Sequence, residues 1–300
     1  MLPSFDAALA GALAGAVAAG QKAGQVTQEA SGLAEGDVWN VFFLAIIQGL
    51  TEFLPVSSSG HLALGKSVMG LEAGGMALDV ALHVGTLGAI VWAFRKDVFA
   101  LLRDPFEGRY LSWVWLVVAT LPVAVIGIVF KDSITAAAGT AVAAGCGLLV
   151  TSAALLVGEF NRRRFNAPAS PPDGPPVFRM GDAVVMGFAQ AAAIWPGVSR
   201  SGSTISAGLV RGLSAEDAAR LSFLMSIPAI SGAAIVELPG ALEEGFGNLN
   251  GVVVFGATIL AGLVGWSALR TLLLVLRKGS FPYFAGYCAL LGTAALILAR

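Results

Sequence analysis

The chain has 300 residues; 56% are hydrophobic, only 12% are charged, and the formal net charge is −1. Mean hydropathy is +0.80. Soluble domains carry about 25% charged residues, and a near-neutral chain has no field to hold a polyanion. Soluble enzymes, disordered chains and nucleic-acid binders are excluded, and an all-α integral membrane protein is expected.

Residues 1–36 include the Ala/Gly-rich stretch 8–20, with no Lys or Arg before it. That fits a signal peptide poorly, and the segment is read as an N-terminal extension without an assigned role. Residues 37–70 are apolar but interrupted by a Ser/Gly-rich turn. A bilayer core of about 30 Å needs about 20 apolar residues per helix, and crossings are expected near 76–94, 113–130 and 139–158. Residues 161–180 are polar and Pro-rich and read as a cytoplasmic linker between a first repeat, 37–160, and a second, 181–300. The second repeats the plan: a broken segment at 181–212, then crossings near 215–236, 251–272 and 280–299. Six crossings result. Irregular backbone at membrane depth is tolerated only inside protein or beside a wet cavity, so both broken segments are expected to be re-entrant hairpins.

Loop charge sets the expected orientation. Arg95, Lys96, Arg103 and Arg109, then Arg162, Arg163, Arg164 and Arg179, then Arg277 and Lys278 mark three basic loops. Residues 237–250 hold Glu237, Glu243 and Glu244 and no Lys or Arg. With the basic loops in the cytoplasm, both termini lie outside. Cys146 and Cys288 sit in apolar runs and read as buried free thiols. The 38 glycines suit close helix packing, and homodimerisation is an expectation from that composition alone.

A shift of 142 residues superposes the broken segments: Gln48 on Gln190, Val56 on Val198, Ser57 on Ser199, Ser59 on Ser201 and Gly60 on Gly202. Three crossings per half insert the second copy upside down. Inverted repeats with broken helices are a transporter architecture, with the site near the midplane.

The densest polar clusters lie in these breaks. The first runs from Gln48 through Thr51, Glu52, Pro55, Ser57, Ser58, Ser59 and Gly60 to His61. The second holds Pro196, Gly197, Ser199, Arg200, Ser201, Gly202, Ser203 and Thr204. A charge at the bilayer centre costs about 2.5–3.5 kcal/mol on insertion scales, so Glu52 and Arg200 need partners. A structural Glu–Arg pair is the bland alternative; it leaves the hydroxyls and His61 unexplained. Gln48 and Glu52 are four apart and share a helix face, suited to a divalent cation, a water or an imidazole. Pro55 ends that helix. Each Ser-rich turn then opens a short helix, whose N–H groups and dipole favour an anion. Arg200 adds a planar fork that fits phosphate. The convergence points to a phosphate or diphosphate. His61 is placed as a general acid or base or as a nucleophile toward phosphorus. His83, four residues after Asp79, is read as structural or supporting.

The motifs Gln48–His61 and Pro196–Thr204 resemble the two signatures of the bacterial undecaprenyl-diphosphatases of the bacitracin-resistance type. The resemblance runs from about residue 37 to the C-terminus. It implies hydrolysis of undecaprenyl diphosphate to the monophosphate carrier of peptidoglycan synthesis, at the outer face of the cytoplasmic membrane. It also implies a divalent cation, Mg²⁺ or Ca²⁺. By matching position Glu52, Ser58, His61 and Arg200 form the expected core. Ser57, Ser59, Ser199, Ser201, Ser203 and Thr204 would bind phosphate, with Gln48, Gly60, Pro196, Gly197 and Gly202 in support. The family's first motif opens on Glu or Gln; here Gln48 leaves Glu52 as the motif's one carboxylate and the expected metal ligand, with Gln48. Ser58 is the expected nucleophile, activated by His61, with Glu52 orienting His61 or holding the metal; His61 itself, or water, are the alternatives. The rival class is a polyprenyl-phosphate transporter on the same repeat. A non-catalytic scaffold is the third reading.

Overall fold

The computed structural model describes residues 35–69, 75–138, 140–165, 167–168, 179–246, 249–276, 279 and 281–299. The expected extension is outside these up to residue 34, as are residues 166 and 169–178 of the expected linker. The chain divides into a unit Met1–Trp39 and a unit Asn40–Arg300; all contacts below lie within the second.

All regular structure among the described residues is helical. The first broken segment is α1 (Glu35–Phe53) and α2 (Ser58–Met69). The second is α8 (Met180–Ala192) and α9 (Arg200–Val210). Six helices are long and apolar enough to cross a membrane: α3 (Gly75–Ala93), α5 (Leu111–Val129), α7 (Ala141–Phe165), α10 (Ala215–Glu244), α11 (Gly251–Leu276) and α12 (Phe281–Leu298). The molecule is a multi-pass membrane protein. Large apolar side chains such as Trp92, Ile128, Leu263 and Leu290 point outward, which only a lipid surround makes favourable. Cys288 is buried as expected, whereas Cys146 is exposed and belongs to that outer apolar surface.

Two helices stand where the sequence suggested only loops: α4 (Arg95–Arg103) and α6 (Lys131–Ala138). Both are short and amphipathic, and their patterning is masked by flanking spans. Asp97 on α4 pairs with Arg220 on α10, which anchors the loop helix to the bundle.

Spans that the 142-residue shift brings into register pack on each other. α3 packs on α10 and α7 on α12, and these are the matching spans of the two halves. The pair α3–α11 has its counterpart in α10–α5, which also pack together. α7 is central, with 50% of its apolar window enclosed, against 11% for α5. α7 packs against the turn of the second break. Gly197 has φ +84°, a conformation that suits glycine, and a Cβ there would fall 2.1 Å from the Ala144 carbonyl oxygen. Opposite it, a Cβ on Gly147 would fall 2.1 Å from the Pro196 carbonyl oxygen. Backbone thus packs on backbone, and the turn is held at a fixed depth.

Candidate active site

Pro55 supplies no N–H and disfavours helix in the residue before it, so α1 ends at Phe53. The chain turns through Ser57, a non-glycine residue at φ +72°. A β-carbon in that region costs roughly 1–2 kcal/mol, and such conformations cluster at functional sites. Ser57 then caps α2, its Oγ accepting from the Gly60 N–H at 3.4 Å. The second break repeats this: Ser199 Oγ accepts from the Gly202 N–H at 3.1 Å. Ser57 and Ser59 hydroxyls are 3.3 Å apart, as are those of Ser199 and Ser201.

The breaks meet at Glu52. Arg200 Nη2 donates to Glu52 Oε1 at 2.6 Å, across 148 residues of chain. Ser58 Oγ donates to Glu52 Oε2 at 2.7 Å, and Gln48 Nε2 donates to the same oxygen at 3.1 Å. His83 Nε2 lies 3.8 Å from it, so His83, read from sequence as supporting, borders the cluster. The pair is buried, with side-chain exposures of 16% for Arg200 and 6% for Glu52.

A structural ion pair alone would satisfy its members. Here it does not: Arg200 Nη1 and Gln48 Oε1 are buried without a partner. Buried polar atoms are normally hydrogen-bonded, and an uncompensated guanidinium N–H beside a helix N-terminus is a place for an anionic oxygen.

His61 is turned away from Ser58. Its Nδ1 sits 2.7 Å from the Ser57 carbonyl oxygen. Its Nε2 sits 2.7 Å from the Tyr287 hydroxyl, with the rings stacked at 5.6 Å and 10°. The Ser58 hydroxyl is therefore engaged by Glu52 rather than by His61.

Other expected residues serve the frame. Ser201 Oγ donates to the Leu54 carbonyl at 3.3 Å and ties the two breaks together. Thr204 Oγ1 donates to the Arg200 carbonyl at 2.7 Å and lies 2.6 Å from Ser222 Oγ. The Ser199 N–H donates to Thr151 Oγ1 at 2.8 Å. Ser59 is exposed at the turn and Ser203 is buried on α9. Thr151, Ser222 and Tyr287 were not visible as site residues in the sequence. Each sits in an apolar span far from the motif it supports, with no local signal. His83 was visible, because an imidazole inside a span is costly.

The match to known proteins is extensive. A family profile described as "Bacitracin resistance protein BacA" covers residues 41–294. The undecaprenyl-diphosphatase of Halothermothrix orenii is 40% identical over 263 residues, 88% of this chain and 98% of that protein. That of Desulfatibacillum aliphaticivorans is 38% identical over 276 residues, 86% and 97% of the two chains. Undecaprenyl-diphosphatase 4 of Bacillus thuringiensis subsp. konkukian is 38% identical over 257 residues, 86% and 95%.

Proposed function

The chain belongs to the bacitracin resistance protein BacA family, and from that premise we propose that it is a membrane phosphatase. It hydrolyses undecaprenyl diphosphate to undecaprenyl phosphate and orthophosphate, and so returns the lipid carrier to peptidoglycan synthesis. The observation that carries this reading is the Ser58–Glu52–Arg200 contact, with Arg200 Nη1 left buried and unpartnered.

The terminal phosphoryl group takes the place at the two helix N-termini, where Arg200 and the capped turns face it. Ser58 Oγ attacks the terminal phosphorus. The Oγ–P bond forms, the bridging P–O bond breaks, and undecaprenyl phosphate leaves with the bonding pair. The Ser58 proton passes to Glu52, which already accepts it in a 2.7 Å hydrogen bond. Arg200 and the helix dipoles stabilise the charge on the phosphoryl oxygens. Water then attacks the phosphoserine: its O–P bond forms as the Ser58 Oγ–P bond breaks, Glu52 returns its proton to Ser58 Oγ, and one water proton goes to His61, which gives it up to solvent. Orthophosphate departs.

A divalent cation fits Gln48 and Glu52. Gln48 Oε1 is a buried acceptor with no partner, on the same face as the carboxylate. Among the described residues there is no group of three His, Cys, Asp or Glu side chains able to enclose a metal. One carboxylate and one amide suit Mg²⁺, which keeps waters and takes substrate phosphate oxygens. When bound, such a cation neutralises phosphoryl charge.

The membrane is the bacterial cytoplasmic membrane, with the site opening to its outer face. Loop charge supports that orientation. The halves are inserted upside down relative to each other; an odd number of spans per half and the pairing of equivalent helices support this. The test is phosphate release from undecaprenyl diphosphate or farnesyl diphosphate by purified protein in detergent. Release by wild type, lost in Ser58→Ala and Arg200→Ala, is the expected result. A protein that moves lipid phosphate between vesicle leaflets and releases no phosphate is a transporter instead.

A further inference from the structure

We infer that Tyr287 is a positioning residue for His61: its hydroxyl and ring hold one tautomer and one orientation of the imidazole on the α2 face that carries Ser58. The inference deepens the phosphatase reading and rests on it for its kinetic consequence.

The hydrogen-bond inventory decides the tautomer. The Ser57 carbonyl can only accept, so the nitrogen 2.7 Å from it, Nδ1, carries the hydrogen. In the neutral ring Nε2 then holds the lone pair, and the Tyr287 hydroxyl 2.7 Å away is its donor. The same Ser57 carbonyl accepts the His61 backbone N–H at 3.3 Å. Ser57, at φ +72°, therefore anchors both the ring and the helix turn that bears it. Stacking at 5.6 Å and 10° removes the remaining freedom about the ring axis. Residue 61 is three positions after Ser58 and shares its helix face. A base held there with its lone pair pre-formed, and lent to the Tyr287 hydroxyl until water takes that place, receives a proton from water during hydrolysis of a phosphoserine.

Packing alone does not call for a tyrosine at this position. The 142-residue shift pairs Tyr287 with Gly145 and His61 with Ser203. In that half the helices close directly: a Cβ on Gly145 would fall 2.9 Å from the Gly292 carbonyl oxygen. Gly145 closes on α12, whereas its counterpart Tyr287 reaches across to His61 on α2. The tyrosine occurs on the side where the histidine occurs. Tyr287 is also 45% exposed, more than a core ring would be. It sits on α12, 226 residues from its partner, so the second half of the chain orients a reactive group of the first.

The test is a double-mutant cycle in detergent-solubilised full-length protein, with farnesyl diphosphate as substrate. Tyr287→Phe keeps the ring and removes the donor. It is expected to lower kcat by about tenfold with KM changed by less than about twofold. In a His61→Ala background the same change is expected to have no further effect. A Tyr287→Phe enzyme equal to wild type overturns the inference, and so does an equal loss in both backgrounds. Nitrogen-15 spectra of histidine-labelled protein give a readout independent of turnover, with His61 assigned by its loss in His61→Ala. Wild type is expected as the Nδ1–H tautomer, and Tyr287→Phe as a mixture. A wild-type His61 in the Nε2–H form overturns the inference even if no phosphate is released; absent release with the expected tautomer overturns only the phosphatase reading.

Discussion

In both broken segments a serine caps the short helix that follows, at 3.4 Å for Ser57 and 3.1 Å for Ser199, and a second hydroxyl stands 3.3 Å from the cap. The contents of the two turns then diverge. Position by position, Glu52 corresponds to Ile194, Ser58 to Arg200 and His61 to Ser203. The first segment carries the acceptors and the hydroxyl proposed to attack, and the second carries the positive charge. The backbone differs too: the first turn bends through a strained serine, and the second through Gly197, where no side chain fits. The starts of both short helices reach Glu52, through Ser58 and Arg200, and in the proposed mechanism these unlike residues divide the labour of phosphoryl transfer between them. Neither segment is a site by itself, because Glu52 Oε1 is satisfied only from the other half.

Substitutions can separate frame from chemistry. The largest effect is expected from Arg200→Ala, on the order of a thousandfold in kcat measured by phosphate release. It leaves Glu52 buried without its counter-charge, and a stability loss of about 3 kcal/mol should appear in thermal unfolding. Glu52→Gln keeps the shape and removes the proton acceptor, so a loss of about a hundredfold in kcat is expected with a smaller change in stability. A Glu52→Gln enzyme with normal turnover would return the pair to a structural role. The third prediction compares equivalent positions: His61→Ala should cost about a hundredfold while Ser203→Ala stays within about twofold of wild type. Equal losses at both would mean that the halves are functionally symmetric. Chelation by EDTA is expected to lower the rate by about tenfold or more, with recovery on adding Mg²⁺ or Ca²⁺. Gln48→Leu should raise the cation concentration needed for half recovery.

The smallest effects concern the backbone. Gly197→Ala is expected to destabilise by about 2 kcal/mol or more, because the new Cβ meets the Ala144 carbonyl in a left-handed conformation. Ser57→Gly should act in the opposite direction. It relieves a positive φ worth roughly 1 kcal/mol and gives up only a few tenths of a kcal/mol of capping, so unfolding should shift upward slightly. Together the two variants ask whether equivalent turns pay for their shape in the same way.

Much of this was legible in one sequence because the bilayer imposes strong patterns. Six runs of about 20 apolar residues are the direct consequence of a hydrocarbon core about 30 Å thick. Breaks rich in serine inside such runs had to be protected by protein, and Glu52 and Arg200 had to find partners for the same energetic reason. The need for a partner followed from cost alone; that the two meet each other came from the structure. Even the frame could be read from the 142-residue shift, since Gln48, Ser57 and Gly60 each met their counterparts.

The amino-acid order by itself determined the membrane class, the six spans, the two breaks and the family. These depend on local composition and on periodicity, which chain neighbours carry. Only the tertiary structure decided which atom each polar group faces. Ser58 turned to Glu52 and not to His61, although three residues separate Ser58 from His61 and six from Glu52, because the break at Pro55 folds α2 back along the end of α1. His61 was claimed instead by Tyr287, a residue from an otherwise apolar span. Amphipathic α4 and α6 were hidden between stronger signals. Contacts between residues more than two hundred positions apart leave no local trace in the chain, and their geometry exists only once the helices have packed.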